Sequence, residues 1–208
     1  MNRFNKLLFL IPIIMFGCKS NKINDKIISQ TINSLNMNIF SNEGKVLLSI
    51  QSPYSSYDKE KNIFNLNETT INLFKDNESE YIIISDSSQL SNNNKLLVLK
   101  GNVLVKSSTQ EDSKLHANSF TWDIQKSEYL LIGNVKFKNN TITLFSNKAI
   151  LNKTNNIIEF SNPVKYKIND PMDKKGYEIN SENAFYNLET KSVTFKSKED
   201  KVRSKIYF

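Results

Sequence analysis

The amino-acid sequence predicts an all-β fold, an antiparallel sheet folded over on itself and built from repeated hairpins of about 30 residues. Three observations carry that prediction. Short runs alternate apolar and polar residues, clusters rich in Asn, Asp and Ser separate them, and one pattern of positions recurs five times along the chain. Helical spacing is scarce from residue 39 onward.

The N-terminus is an address. Arg3 and Lys6 give a basic start, Leu7 to Met15 is an apolar run, and Phe16-Gly17-Cys18 precedes an abrupt change to polar sequence. A basic region, a short apolar region and a small residue before the cut describe a secretory signal over residues 1–17. An apolar run of roughly ten residues is too short to cross a hydrocarbon core, which needs about 20 helical residues. Cys18 directly follows Gly17 and resembles the bacterial lipobox, whose Cys is lipidated and becomes the new first residue. Phe16 is bulkier than the residue usual at its place, and an ordinary signal peptide with an incidental Cys is the alternative. At about 0.8 kcal/mol per buried CH₂, several acyl chains would hold the protein stably at a membrane. Residues 18–38, polar with Ile23, Ile27, Ile28 and Ile32 dispersed among them, are read as the lipidated N-terminus and a tether. The folded domain is then expected over residues 39–208.

Strand-forming runs follow: Val46 to Ile50, Thr70 to Phe74, Tyr81 to Ile84 and Thr141 to Phe145. Between runs lie turn-forming clusters such as Asp58 to Asn62, Ser91 to Lys95 and Asn152 to Asn156. The repeat fixes a register on them. Units start at Tyr57, Leu90, Trp122, Leu151 and Tyr186, and a turn former follows each start. Seven and nine residues later come Phe64 and Leu66, Leu97 and Leu99, Tyr129 and Leu131, Ile158 and Phe160, Val193 and Phe195, all apolar. Eleven residues on stand Glu68, Gly101, Gly133, Asn162 and Ser197.

In the middle units the alternation runs on through Val103 and Val105, Val135 and Phe137, Val164 and Tyr166, interleaved with Lys106, Lys136, Lys138, Lys165 and Lys167. Period-two spacing puts the apolar set on one face and the lysines on the other. A hairpin with one apolar face cannot stand alone, so successive hairpins stack around a shared interior. Leu97, Leu99, Val103, Val105, Trp122, Tyr129, Leu131, Val135, Phe137, Ile158, Phe160, Val164 and Tyr166 line that interior. They either fill a core or leave a lengthwise groove for an acyl-chain ligand, where apolar contact contributes about 25 cal/mol per Å².

Composition closes off other functions. The 208 residues hold one Cys, one His, one Trp, five Gly and thirty Asn. One Cys excludes an internal disulfide and a Cys-rich zinc site, and one His excludes multi-His metal centres. No phosphate-cradling Gly-rich loop, nucleophile elbow or carboxylate pair appears, so no enzyme activity, metal or cofactor is expected. The formal charge of +7 is no nucleic-acid signal, since basic–aromatic recognition motifs are missing. His116 sits among polar neighbours and is read as exposed.

The phrase Leu99-Lys100-Gly101-Asn102-Val103-Leu104-Val105, then Leu115-His116-Ala117-Asn118-Ser119-Phe120-Thr121-Trp122-Asp123, then Leu131-Ile132-Gly133-Asn134-Val135-Lys136-Phe137, resembles the lipopolysaccharide-transport β-jellyroll family of LptC and LptA (OstA-like). Gly44 to Gln51 with Pro53-Tyr54-Ser55-Ser56-Tyr57-Asp58 resembles the start of an LptC domain. The resemblance spans roughly residues 39–197. It implies a periplasmic jellyroll that carries the lipid A part of lipopolysaccharide. The lipid would come from an inner-membrane ABC transporter and pass to an LptA-like jellyroll by edge-strand pairing. The anchor at Cys18 favours LptC and an inner-membrane location, though LptC is usually held by a transmembrane helix. The last unit departs from the pattern, with Ser197 in place of Gly and Glu199 and Lys201 in place of valines. A ligand-free envelope lipoprotein that docks to other proteins is the alternative.

Overall fold

The computed structural model describes residues 29–91, 93, 95–109, 112–124, 126, 128–152, 155–168, 177–198 and 202–206. The expected signal, Cys18 and most of the expected tether lie outside the described residues. Those described form twelve strands and no helix, so the all-β expectation holds. The strands are β1 (Gln30–Phe40), β2 (Val46–Asp58), β3 (Ile63–Lys75), β4 (Glu78–Ser91), β5 (Leu96–Ser107) and β6 (Lys114–Asp123), followed by β7 (Glu128–Lys138), β8 (Ile142–Asn152), β9 (Ile157–Ile168), β10 (Tyr177–Asn187), β11 (Val193–Lys196) and β12 (Arg203–Ile206). All belong to one antiparallel sheet in chain order up to β11, while β12 pairs with the other half of β10.

The five-fold repeat is a hairpin register. Each start residue is paired across the sheet with the residue seven on: Tyr57 with Phe64, Leu90 with Leu97, Trp122 with Tyr129, Leu151 with Ile158, and Tyr186 with Val193. Directly opposite residues sit close enough for aromatic contact. The Tyr57 and Phe64 rings lie 4.5 Å apart, and those of Trp122 and Tyr129 5.1 Å.

Midway along, the strands turn a corner. The residues eleven after the starts adopt left-handed backbone, with φ of 49° at Glu68, 75° at Gly101, 80° at Gly133 and 67° at Asn162. The pairing register shifts at the same level between β4 and β5, β5 and β6, β6 and β7, β7 and β8, β8 and β9, and β9 and β10. Bulges of this kind bend a strand and raise its twist. On the alternate strands, buried serines tie the bend by donating to the carbonyl two residues on: Ser52 to Tyr54 (2.8 Å), Ser85 to Ser87 (3.1 Å), Ser146 to Lys148 (3.0 Å) and Ser181 to Asn183 (2.9 Å). Ala117 holds the matching place in β6. The fifth residue of the series, Ser197, stands where the edge strand breaks between β11 and β12. Its hydroxyl accepts from the Glu182 amide at 3.2 Å.

The bend folds the sheet onto itself. Phe137 on β7 and Tyr186 on β10 are three strand spacings apart along the sheet, about 14 Å. Their rings nevertheless meet at 4.8 Å. Between the two layers lies one apolar core in which Leu48, Ile50, Ile71, Ile83, Leu97 and Phe160 are wholly buried.

Folding starts earlier than expected. Gln30–Phe40, whose residues up to Asn38 were expected in the tether, is β1 and pairs with β2 from Gln30 opposite Tyr57 to Phe40 opposite Val46. Leu35, Met37 and Ile39 alternate and pack against the core. Ser34 has φ of 56°, which slips the alternation by one between Ile32 and Leu35 and hides the strand from a period-two reading.

Candidate lipid-binding site between the layers

All thirteen apolar positions expected inside do face the interior. Twelve are buried and Val105 is half-buried. The structure divides them by role. Leu97, Leu99, Val103, Trp122, Val135, Phe160, Val164 and Tyr166 are packed against other core side chains. Val105, Tyr129, Leu131, Phe137 and Ile158 line a cavity of about 320 Å³ at the end of the fold where the two layers open away from the corner. That is the low end of the size range of ligand sites, about 300–1,000 Å³, with the usual mix of an apolar wall and a few polar groups.

Each wall comes from one limb of the bent strands. Beyond their corners, β3, β5 and β7 supply Leu73, Val105 and Phe137, and the first halves of β4 and β6 supply Ile83 and Leu115. The facing wall comes from the other limb: Phe120, Leu131, Leu151, Ile158 and Tyr186. Three phenols, of Tyr81, Tyr129 and Tyr186, complete the lining, and burial pushes each above its ordinary range. For Tyr81 and Tyr129 the negative charge of Glu80 adds to the shift, and at Tyr186 a hydrogen bond from Asn139 opposes it. All three are neutral hydroxyls at physiological pH.

Charge is confined to the rim and to one carboxylate. Lys75, Lys114, Glu189 and Lys191 are exposed and border the cavity. Glu80 reaches it through a slip in the ladder: Leu73 pairs with Tyr81 but Phe74 pairs with Ser79, so Glu80 is the bulged residue and its side chain turns inward. Among the described residues no group of His, Cys, Asp and Glu has a metal-binding arrangement, and no helix is long and apolar enough to cross a membrane.

Sequence reasoning did not place Leu73, Glu80, Tyr81, Ile83, Leu115 or Phe120 in the site. Leu115 and Phe120 stand in the repeated phrase and were within reach of it. Nothing in the local sequence marks the bulge that redirects Glu80. His116, expected to be exposed, is exposed on the outer face of β6.

Residues 15–131 match the family described as Lipopolysaccharide-assembly, LptC-related. That match covers more than half of the chain. The chain belongs to the LptC-related family. Residues 114–206 match a second description, LptA/(LptD N-terminal domain) LPS transport protein. The two overlap in β6 and the start of β7, where the sheet continues from one strand to the next without interruption. This LptC-related chain is thus a lipopolysaccharide-transport protein of the periplasm. Among solved structures it is similar to LptH from Pseudomonas aeruginosa, the LptA homologous periplasmic component of the lipopolysaccharide transport device. Identity is 8%, coverage is 77% of this chain and 94% of that one, and the TM-score is 0.38. No curated protein matches the chain.

Proposed function

We propose that this LptC-related protein is a membrane-anchored relay. It takes lipopolysaccharide from an inner-membrane export ABC transporter, holds lipid A acyl chains between its two layers, and passes them to an LptA-like jellyroll. The observation that supports this reading is the cavity itself, an apolar space between the layers with Lys75, Lys114 and Lys191 at its rim, where the phosphates of an acidic glycolipid would lie. At about 30 Å³ per water, the space is on the order of ten water volumes, enough for one acyl chain and too little for several. A lipid with several chains would need the layers to part, and their open ends around the cavity are where parting would begin.

The anchor in this reading is acylated Cys18, joined to β1 by residues 19–29. The handover in this reading uses sheet edges, β1 at one side and β11 with β12 at the other, where a further strand would add. A second reading, a closed sandwich that docks to envelope proteins without a ligand, draws on the tight packing around Leu97, Leu99, Val103 and Phe160, all wholly buried.

Photoreactive amino acids placed at Tyr129, Leu131, Phe137 and Ile158 in living cells separate the two. The relay reading predicts glycolipid adducts at these positions and none at the outward Lys165. Absence of adducts at all four, in cells that still make lipopolysaccharide, would remove it. Co-purification with an export ABC transporter tests the first handover separately.

A further inference from the structure

We infer that the outer face of one layer, from β5 to β12, is a docking surface for an anionic phospholipid bilayer. The inference is independent of whether the interior carries lipid. Two neighbouring rows of side chains cross that face. In the first, Lys106 is opposite Lys114, Lys114 opposite Lys138, Lys138 opposite Thr143, Thr143 opposite Lys167, Lys167 opposite Glu178, and Glu178 opposite Lys205. In the second, Leu104, His116, Lys136, Phe145, Lys165, Asn180 and Arg203 follow one another in the same way.

The charge on this face is lopsided. Its two rows hold eight cations and one acid, a formal +7, as large as the +7 that the whole chain reaches from 28 cations and 21 acids. Every other residue of the chain therefore sums to zero. Glu178, the one acid, is already held by Lys165 at 2.9 Å and Lys167 at 3.8 Å. The consecutive pairs Lys106–Lys114 and Lys114–Lys138 put like charges directly opposite, an arrangement that destabilises a sheet unless something compensates it.

The form of the patch favours a surface over a small anion or a shaped partner. Seven of the eight cations are lysines, flexible point charges on long stems, and not the planar forks that grip one carboxylate or phosphate in a fixed geometry. The rows extend over seven strands, about 29 Å at the usual spacing. Ile82 and Leu104 lie among them, paired with Lys106 and His116, and Phe145 packs under the Lys136 ammonium at 5.5 Å. Cations with scattered apolar groups match a plane of phosphate headgroups over an acyl boundary.

His116, the single histidine of the chain, is a built-in reporter. Partial burial lowers its titration below the ordinary histidine range, and Lys136 on β7, Lys114 on its own strand and Lys106 on β5 lower it further. The test follows the His116 imidazole by NMR in the full chain. Samples contain phosphatidylglycerol vesicles, phosphatidylcholine vesicles or soluble polyglutamate. Any insertion of the N-terminal segment is common to both vesicle types and does not report on this face.

The inference predicts that the titration midpoint rises by roughly half a unit or more on phosphatidylglycerol, stays put on phosphatidylcholine, and falls back in about 0.5 M salt. In Lys136→Gln/Lys138→Gln, two exposed positions away from the cavity that leave the fold intact, the extra binding to phosphatidylglycerol over phosphatidylcholine drops several-fold. An unchanged midpoint on phosphatidylglycerol, or an equal rise on both lipids, would overturn the inference. A rise on polyglutamate without one on phosphatidylglycerol would also overturn it and assign the face to an acidic protein.

Discussion

The rings of Phe137 and Tyr186 meet at 4.8 Å across the interior although their strands are three spacings apart in the sheet. This contact joins the limb that β7 sends past its corner to the end of β10, and both rings line the cavity. Replacing Phe137, which is 4% exposed, by Ala removes the joint. The expected loss is about 3–5 kcal/mol of unfolding free energy in urea denaturation, with Phe137→Leu costing less. A change within 0.5 kcal/mol would mean that the layers are held elsewhere.

The corner makes a separate prediction. Gly101 has φ of 75°, and a Cβ there would run into the Asp86 side chain at Oδ2. The neighbouring Asn102 amide donates to that same carboxylate oxygen at 2.9 Å. Gly101→Ala therefore carries a left-handed penalty and a clash, together about 2 kcal/mol. Asp86→Ala made in the Gly101→Ala background relieves the clash and leaves the backbone penalty. A double-mutant cycle should read that coupling, whereas additive losses would show that the two residues do not press on one another.

Stability should depend on pH through His116. Its folded form favours the neutral imidazole, chiefly through partial desolvation and then through three lysines. As pH falls the unfolded chain takes up the proton first, near the ordinary value of about 6.5. The contribution is complete above that value and is lost as pH falls from it towards the lower folded titration point. Urea midpoints compared between pH 7.5 and 5.5 should fall less in His116→Gln than in the native protein. Equal falls would exclude this linkage.

Much of this architecture was legible because the period-two pattern and the five-fold repeat report a real register, down to the pairing of Tyr57 with Phe64 and Trp122 with Tyr129. The corner was also written in the sequence, in Gly101, Gly133 and Asn162 at one repeat position, although its bend was not. What escaped were the places where the alternation slips. Ser34 hides β1 by shifting phase inside the strand, and the skipped pairing at Glu80 turns an acid inward where simple alternation would put it outside. The position of the cavity was not legible at all. Its walls are far apart along the sheet and meet only after folding, as Val105 and Ile158 do.

The central claim is that the space between the layers takes up an acyl chain. Val105 is half-buried and faces that space, so Val105→Trp fills it with little disturbance to the packed core. Native mass spectrometry of the purified protein with added lipid A reads occupancy directly. The account predicts a bound lipid on the native protein, lost by about tenfold or more in Val105→Trp at an unchanged melting temperature. No uptake by the native protein, or equal uptake by the filled variant, would contradict it.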